Sequence, residues 1–314
     1  MEVEDLSINF ETLYGTLKVL NGVNFIINEG EIVGLVGESG CGKSTFALSI
    51  MGLLPPQAKL MGGKIYFQNS EINVLDEKFM EKIRGRKISM VFQEPLTSLN
   101  PILTIGEQLM EAIKIGSDKK DVKKEEALKW LKRVGIPDPE RTLKRYPHEL
   151  SGGMRQRIMI IMALATKPSL LIADEPTTAL DVTTQAQILK LMKNLVKENK
   201  VSVLFISHDL GVIAQIADRV AVMYAGKIVE ESKIFEIFEN PLHPYTKDLL
   251  SSIPKLEGKS EKLPTIKGSV PNLLNLPEGC IYHTRCKYVM DNCKVKEPEL
   301  KEYLTKRKVA CFLY

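Results

Sequence analysis

The eight residues Gly37-Glu38-Ser39-Gly40-Cys41-Gly42-Lys43-Ser44 fit the pattern G-x-x-x-x-G-K-[ST] without a gap. Their setting constrains the fold more than any other feature of the chain. The run before them, Glu31 to Gly37 (EIVGLVG), reads as a buried strand, and Thr45 to Leu54 reads as a helix. A strand that enters a glycine-rich turn and leaves as a helix belongs to an α/β sheet. The glycines let successive N–H groups point inward as an anion nest at a helix N-terminus. Gly37, Ser39, Gly40, Cys41, Gly42 and Thr45 then line a phosphate site, Lys43 reaches the β- and γ-phosphates of a nucleotide, and the Ser44 hydroxyl ligates Mg²⁺. The bland alternative is a glycine-rich surface turn. The dinucleotide fingerprint G-x-G-x-x-G does not match here, so NAD is not expected.

The rest of the chain agrees with an α/β core. Ser169 to Ala173 (SLLIA), Val201 to Ser207 (VSVLFIS) and Arg219 to Tyr224 (RVAVMY) are apolar strands bounded by polar or turn residues. Between two of them Ile188, Leu191, Met192, Leu195 and Val196 recur at helical spacing, one buried face. Leu17 to Ile27 and Lys64 to Gln68 read as an antiparallel flank. From Pro95 to Ala165 the pattern is nearly all helical. The expected division is an ATPase-type core over 1–94 and 166–240, an inserted helical subdomain over 95–165, and a C-terminal extension over 241–314. The longest uncharged apolar run, Ile158 to Thr166, is nine residues, against about 20 for a membrane-spanning helix. The start, MEVEDL, is acidic and carries no signal-like apolar stretch, so the cytosol is the default compartment.

Two further features bear on chemistry. The strand Leu170 to Ala173 ends in Asp174-Glu175. A carboxylate at a strand tip beside a phosphate loop suits Mg²⁺, and the next one suits activation of a water. His208 stands just past the strand Val201 to Ser207; alone it reads as surface. Charge and cysteine are both skewed to the end of the chain. Residues 254–314 hold 12 Lys/Arg against 7 Asp/Glu, and four of the 5 cysteines.

Leu150-Ser151-Gly152-Gly153-Met154-Arg155-Gln156-Arg157 stands about 20 residues before the acidic strand. With the phosphate loop and Asp174-Glu175, it resembles the ABC-transporter ATPases and their LSGGQ signature. That resemblance covers residues 1–240 and supplies further roles. Gln93 in VFQEP matches the glutamine that senses Mg²⁺ and contacts the membrane subunits. Asp181 in ALD matches the D-loop aspartate, His208 the switch histidine at the γ-phosphate, and Tyr14 the aromatic that stacks on adenine. Glu175 becomes the catalytic base, and Asp174, Ser44 and Gln93 the Mg²⁺ residues. The signature Ser151, Gly152 and Gly153 are implied to act on ATP held by the opposite subunit. Met154 stands where many relatives have Gln.

A narrower resemblance rests on LSGGMRQRIMIIMALATKPSLLIADEPTTALDVTTQAQIL and on NPLHPYTKDLLSSIP, with the triplet His243-Pro244-Tyr245. Both are similar to ATP-binding subunits of oligopeptide and dipeptide importers. This implies a second, related ATPase subunit (or a second copy of this chain in isolation), two transmembrane permeases and an extracytoplasmic substrate-binding protein. It places the chain peripherally at the cytoplasmic face of the membrane, with no nucleic-acid partner. A soluble non-transport ABC ATPase, or an ATPase with a redox- or metal-sensing tail, are the alternatives. The substrate, whether dipeptide, oligopeptide, nickel complex or oligosaccharide, is not encoded here.

Cys280, Cys286, Cys293 and Cys311 suit zinc or an iron–sulfur cluster equally on chemistry and spacing. The resemblance to peptide-importer extensions implies a [4Fe–4S] cluster, with Zn²⁺ the alternative. Two expectations accompany this. Replacing any one of the four cysteines by Ser should lose the cluster and loosen the tail, and leave the phosphate site, more than 200 residues earlier, able to bind ATP. Cys41, at a helix N-terminus, should have a lowered thiol pKa, so that alkylation blocks ATP binding and MgATP protects; the alternative is a shielded cysteine filling a small-residue slot.

Overall fold

A computed structural model of the chain describes residues 1–94, 98–115, 124–178, 180–253, 266 and 268–314. Parts of the expected helical subdomain (95–97 and 116–123), Ala179 of the ALD motif, and part of the extension (254–265 and 267) lie outside the described residues. The chain divides into two units, one built from Met1–Ile27, Val33–Asn73 and Ser207–Tyr314, the other from Asn28–Ile32 and Val74–Ile206.

In the first unit Glu2–Thr12 pairs antiparallel with Gly15–Ile26 on one side and Ala58–Phe67 on the other. This is the expected antiparallel flank, with the first strand added. That strand escapes a period-two reading because its register shifts three times against Gly15–Ile26, so inward residues do not strictly alternate. A second set of strands in this unit runs Lys301–Leu304, Arg307–Val309, Lys227–Lys233, Arg219–Tyr224, Ile32–Val36. The last two pair in parallel and the others antiparallel, so the arrangement is mixed. Arg307–Val309 pairs with Lys227–Lys233, so the end of the extension joins this sheet.

Ile32–Val36 is wholly buried and ends in the phosphate loop. The following helix is Lys43–Ile50, shorter than the spacing predicts. Gly52 explains the stop. It takes φ 60, its N–H donates to Ser49 O (3.1 Å), and the Leu53 N–H donates to Leu48 O (2.9 Å). That pair of bonds closes a helix through a left-handed glycine.

In the second unit Ser202–Ser207, Leu170–Asp174 and Ile88–Val91 lie side by side in parallel. Ile88–Val91 is a strand that the apolar pattern does not single out. Helices Ile105–Ile115, Lys124–Arg133, Pro139–Thr142 and Gly152–Ala165 account for the expected helical segment among the described residues. Val182–Asn199 buries Ile188, Met192, Leu195 and Val196 as expected, with Leu189 beside them; Leu191, expected on the same face, is only half-buried. Among the described residues, no helix is long and apolar enough to cross a membrane.

Candidate functional site: a phosphate loop and a strand-tip carboxylate

The first unit carries the phosphate loop. Gly40 and Gly42 adopt φ 79 and 108, conformations that strain any residue with a Cβ. A Cβ on Gly37 would also lie 2.1 Å from Met223 O. The loop therefore needs glycine both to turn and to pack. Lys43 is buried, and its Nζ donates to Gly37 O (2.8 Å) and Glu38 O (3.1 Å), so the ammonium spans the concave side of the loop. Ser44 follows on the first turn of the helix, exposed. Ser39 and Gly40 form the exposed crest, and Thr45 is half-buried. This is a cradle of backbone N–H groups and one ammonium at the start of a helix, a fit for polyphosphate.

Two other predicted residues belong to this unit. Tyr14 stands at the hairpin between Glu2–Thr12 and Gly15–Ile26. Its ring is 88% exposed, and its backbone N–H donates to Thr12 Oγ1 at 3.2 Å. His208 is exposed beside Asp209, which caps the helix Leu210–Ile216 by accepting from the Gly211 N–H (2.7 Å).

Cys41 corrects the sequence reading. It is 1% exposed, and burial pushes its thiol pKa up despite the nearby Lys43 ammonium. A helix N-terminus favours a thiolate only where water or a cation replaces the lost solvation; at Cys41 desolvation outweighs both.

The second unit brings Gln93, Asp174 and Glu175 together by register. Val91 sits opposite Ala173 in parallel strands, so the residues just beyond both C-terminal ends face each other. Gln93 Nε2 donates to Glu175 Oε2 at 3.3 Å. Thr178 Oγ1 donates to the same carboxylate oxygen at 2.9 Å. Glu175 has φ 44, a left-handed backbone fixed by its N–H bond to Ile206 O (3.0 Å). Asp174, the last strand residue, is buried.

The signature and the D-loop meet in this unit as two helix starts. Ser151 caps Gly152–Ala165, its Oγ accepting from the Met154 N–H (3.4 Å). Asp181 caps Val182–Asn199, its carboxylate accepting from the Thr184 N–H (3.0 Å). That hydrogen bond holds the Asp181 pKa below the usual carboxylate range. The two helices touch at Gly153, where a Cβ would lie 2.8 Å from Thr184 Cγ2.

The four tail cysteines are free thiols. They line a single cavity with His243, Tyr282, His283 and Met290. Burial raises the thiol pKa of Cys280 to about 11, and raises those of Cys286 and Cys311. No group of three or more His, Cys, Asp or Glu side chains among the described residues has the geometry of a site for a metal ion. Sequence reasoning missed what lies next to this cavity. Arg285 and Tyr245 contact the phosphate loop at Glu38. Both sat in motifs already singled out, beside Cys286 and inside His-Pro-Tyr, but nothing in either pattern says that the motifs fold back 247 and 207 residues onto the loop.

A strand–loop–helix phosphate cradle and a strand-tip Asp-Glu pair define a P-loop nucleotide hydrolase. The chain belongs to the ABC transporter family, which matches residues 20–178, and residues 229–293 match the oligopeptide/dipeptide transporter C-terminal region. It is 49% identical to the oligopeptide transport ATP-binding protein AppD of Bacillus subtilis, covering 100% of this chain and 96% of that one. It is 52% identical to the dipeptide transport ATP-binding protein DppD of the same organism, over 93% and 88%. Among solved structures, it resembles the dimeric post-hydrolysis state of the ATP-binding cassette MJ0796 bound to ADP and Pi. That likeness has a TM-score of 0.66 and 32% identity, over 74% of this chain and 98% of the other. The chain is thus an ABC-type ATPase subunit.

Proposed function

We propose that this chain powers an importer of dipeptides or oligopeptides from the cytoplasmic face of the membrane. It works beside a second related ATPase subunit and drives two permeases fed by an extracytoplasmic binding protein. The observation that carries the hydrolytic part is the Gln93–Glu175 pair at 3.3 Å on a backbone held in a left-handed conformation. The peptide class is supported by the C-terminal match and by the relatives' peptides.

In the first unit Gly37, Ser39, Gly40, Cys41, Gly42 and Thr45 hold the phosphates, Lys43 neutralises them, Ser44 offers a hydroxyl to Mg²⁺, Tyr14 stacks on adenine and His208 reads the γ-phosphate. In the second, Asp174 offers a carboxylate to Mg²⁺. Glu175 accepts the proton of the attacking water, and Gln93 orients that carboxylate and marks the surface facing the permeases. Mg²⁺, when bound, offsets charge on the phosphates. Ser151, Gly152, Gly153 and Asp181 serve nucleotide held by the partner ATPase. The core over 1–94 and 166–240, the helical subdomain over 95–165 and the extension over 241–314 divide this labour.

Cys280, Cys286, Cys293 and Cys311 are assigned to a [4Fe–4S] cluster. The reading rests on four thiols lining one cavity and on the match of the extension to the oligopeptide/dipeptide transporter C-terminal region; Zn²⁺ is the alternative. Such a group supplies cationic charge that makes buried thiolates tenable. The function is tested by uptake of labelled peptides into vesicles containing the permeases, the partner ATPase, the binding protein and this chain. ATP-dependent uptake that disappears with Lys43→Ala is expected. Robust hydrolysis that no peptide-loaded binding protein stimulates, with no uptake, would count against a peptide importer.

A further inference from the structure

The phosphate loop carries one acidic side chain, Glu38, and the C-terminal extension supplies its counter-charge. Arg285 Nη1 and Nη2 donate to Glu38 Oε2 and Oε1 at 2.7 and 3.2 Å, a two-pronged pair. The Arg285 side chain is only 4% exposed. It is held by its own contacts: Nη1 donates to the Tyr224 hydroxyl (3.3 Å), Nη2 donates to Gly268 O (3.4 Å), and the guanidinium lies 5.8 and 6.0 Å from the ring centres of Tyr224 and Tyr282. The backbone of Glu38 is gripped as well, its N–H donating to the Tyr245 hydroxyl at 2.9 Å. Tyr224, Tyr245 and Tyr282 are fully buried and in mutual ring contact.

We propose that Arg285 is a positioning residue of the nucleotide site, neutralising the Glu38 carboxylate at the lip of the anion nest. The inference rests on the reading that ATP binds at the Lys43 loop. A cradle of N–H groups and an ammonium attracts phosphate; a bare carboxylate on the same loop repels it, and more strongly where solvent is partly excluded. Arg285 acts through Glu38, which it discharges and orients, while Tyr245 fixes the adjoining peptide.

The test is MgATP affinity of the purified full chain, read by displacement of a fluorescent ATP analogue, with melting temperature recorded for each variant. Arg285→Gln is expected to weaken MgATP binding about tenfold, the scale of a lost charged hydrogen-bonded pair. Glu38→Gln should bind at least as tightly as the wild type. The decisive comparison is the double variant E38Q/R285Q, which should bind more tightly than R285Q alone because the repelling charge is gone. A purely structural role for Arg285 predicts no such recovery. If R285Q does not fold, R285K and E38Q/R285K carry the test. With one prong lost, R285K should bind about threefold more weakly, and E38Q should remove that loss. Binding by R285Q (or R285K in its place) within the error of wild type, or no tightening on adding E38Q, overturns the proposal. Lys43→Ala is the control. If it binds like the wild type, the site reading fails and the inference with it. If it loses binding while Arg285 variants do not, only the inference fails.

Discussion

Glu175 is one of the few non-glycine residues with positive φ, a conformation costing roughly 1–2 kcal/mol. The Ile206 carbonyl fixes that backbone, and Gln93 and Thr178 both donate to one carboxylate oxygen. The strain and the aim of the carboxylate belong together, since a relaxed turn would not present the same oxygen. Glu175→Gln preserves shape and the Thr178 bond but cannot accept a proton. Turnover should fall by roughly 10² to 10⁴ while MgATP affinity stays within about twofold. Near-normal hydrolysis by that variant would remove Glu175 as the base. Cys41 illustrates the opposite outcome. Buried at the root of the loop with its thiol pKa raised, it should alkylate slowly in the folded protein, with or without nucleotide, and rapidly once denatured. Rapid labelling of Cys41 in the native state, mapped by mass spectrometry, would contradict the burial.

The helix Pro244–Ser251 shows how an element can hinge on one uncharged histidine. His243 caps it, Nδ1 accepting from the Tyr245 N–H at 3.0 Å. Burial, aided by the positive charge of Lys247, lowers its pKa to about 3. Glu230 faces it too, its carboxylate accepting from the Leu242 and His243 N–H groups at 2.8 Å each. Tyr282 packs against the ring. The unfolded chain takes up a proton at this histidine below about pH 6.5, while the folded chain holds off until about pH 3. Stability from His243 is therefore full above pH 6.5 and lost on acidification, at up to about 1.4 kcal/mol per pH unit. His243→Asn keeps a capping acceptor and removes the titration, so its melting temperature should fall less steeply between pH 6.5 and 4.5. Parallel slopes for the two proteins would sink this account; Glu230, present in both, cancels in the comparison. His-Pro-Tyr was legible as a motif, but the helix it starts and the buried carboxylate beneath it were not. The helix Lys43–Ile50 was readable as a helix because its determinants are local, although Gly52 stops it short of the expected Leu54. Ile88–Val91 was not, because four residues beside an insertion carry too little pattern.

For the molecule as a whole, motif residues could be read from sequence because their chemistry is written into short segments. Gln93 and Glu175 meet through register between neighbouring strands, which no single segment encodes. The link between the loop and the cysteine tail was still less accessible, being a contact across 247 residues made by Arg285 and Glu38, neither of which has a role in its own motif. That contact gives the tail a route to the phosphate site, so the affinity of the cysteine variants for MgATP, and not only their ability to bind it, becomes the quantity to measure. Cys286 is the residue after Arg285, and the segment from Cys280 to Cys286 contains Tyr282, whose hydroxyl donates to Asp248 at 2.6 Å. The Cys280 N–H donates to Cys293 O at 2.8 Å, tying two of the cysteines through backbone. Cys280, Cys286 and the arginine thus share one short segment. Protein prepared without oxygen should contain iron and sulfide in near-equal amounts, and Cys286→Ser should lose both. The same variant should bind MgATP several-fold more weakly, approaching R285Q, because a loosened 280–286 segment no longer presents Arg285 to Glu38. Adding Glu38→Gln to Cys286→Ser should restore part of that affinity, as it does for R285Q. One zinc with no iron would replace the cluster and keep the coupling. Loss of the iron with wild-type MgATP affinity would break the coupling and leave the cluster as a local support for the tail.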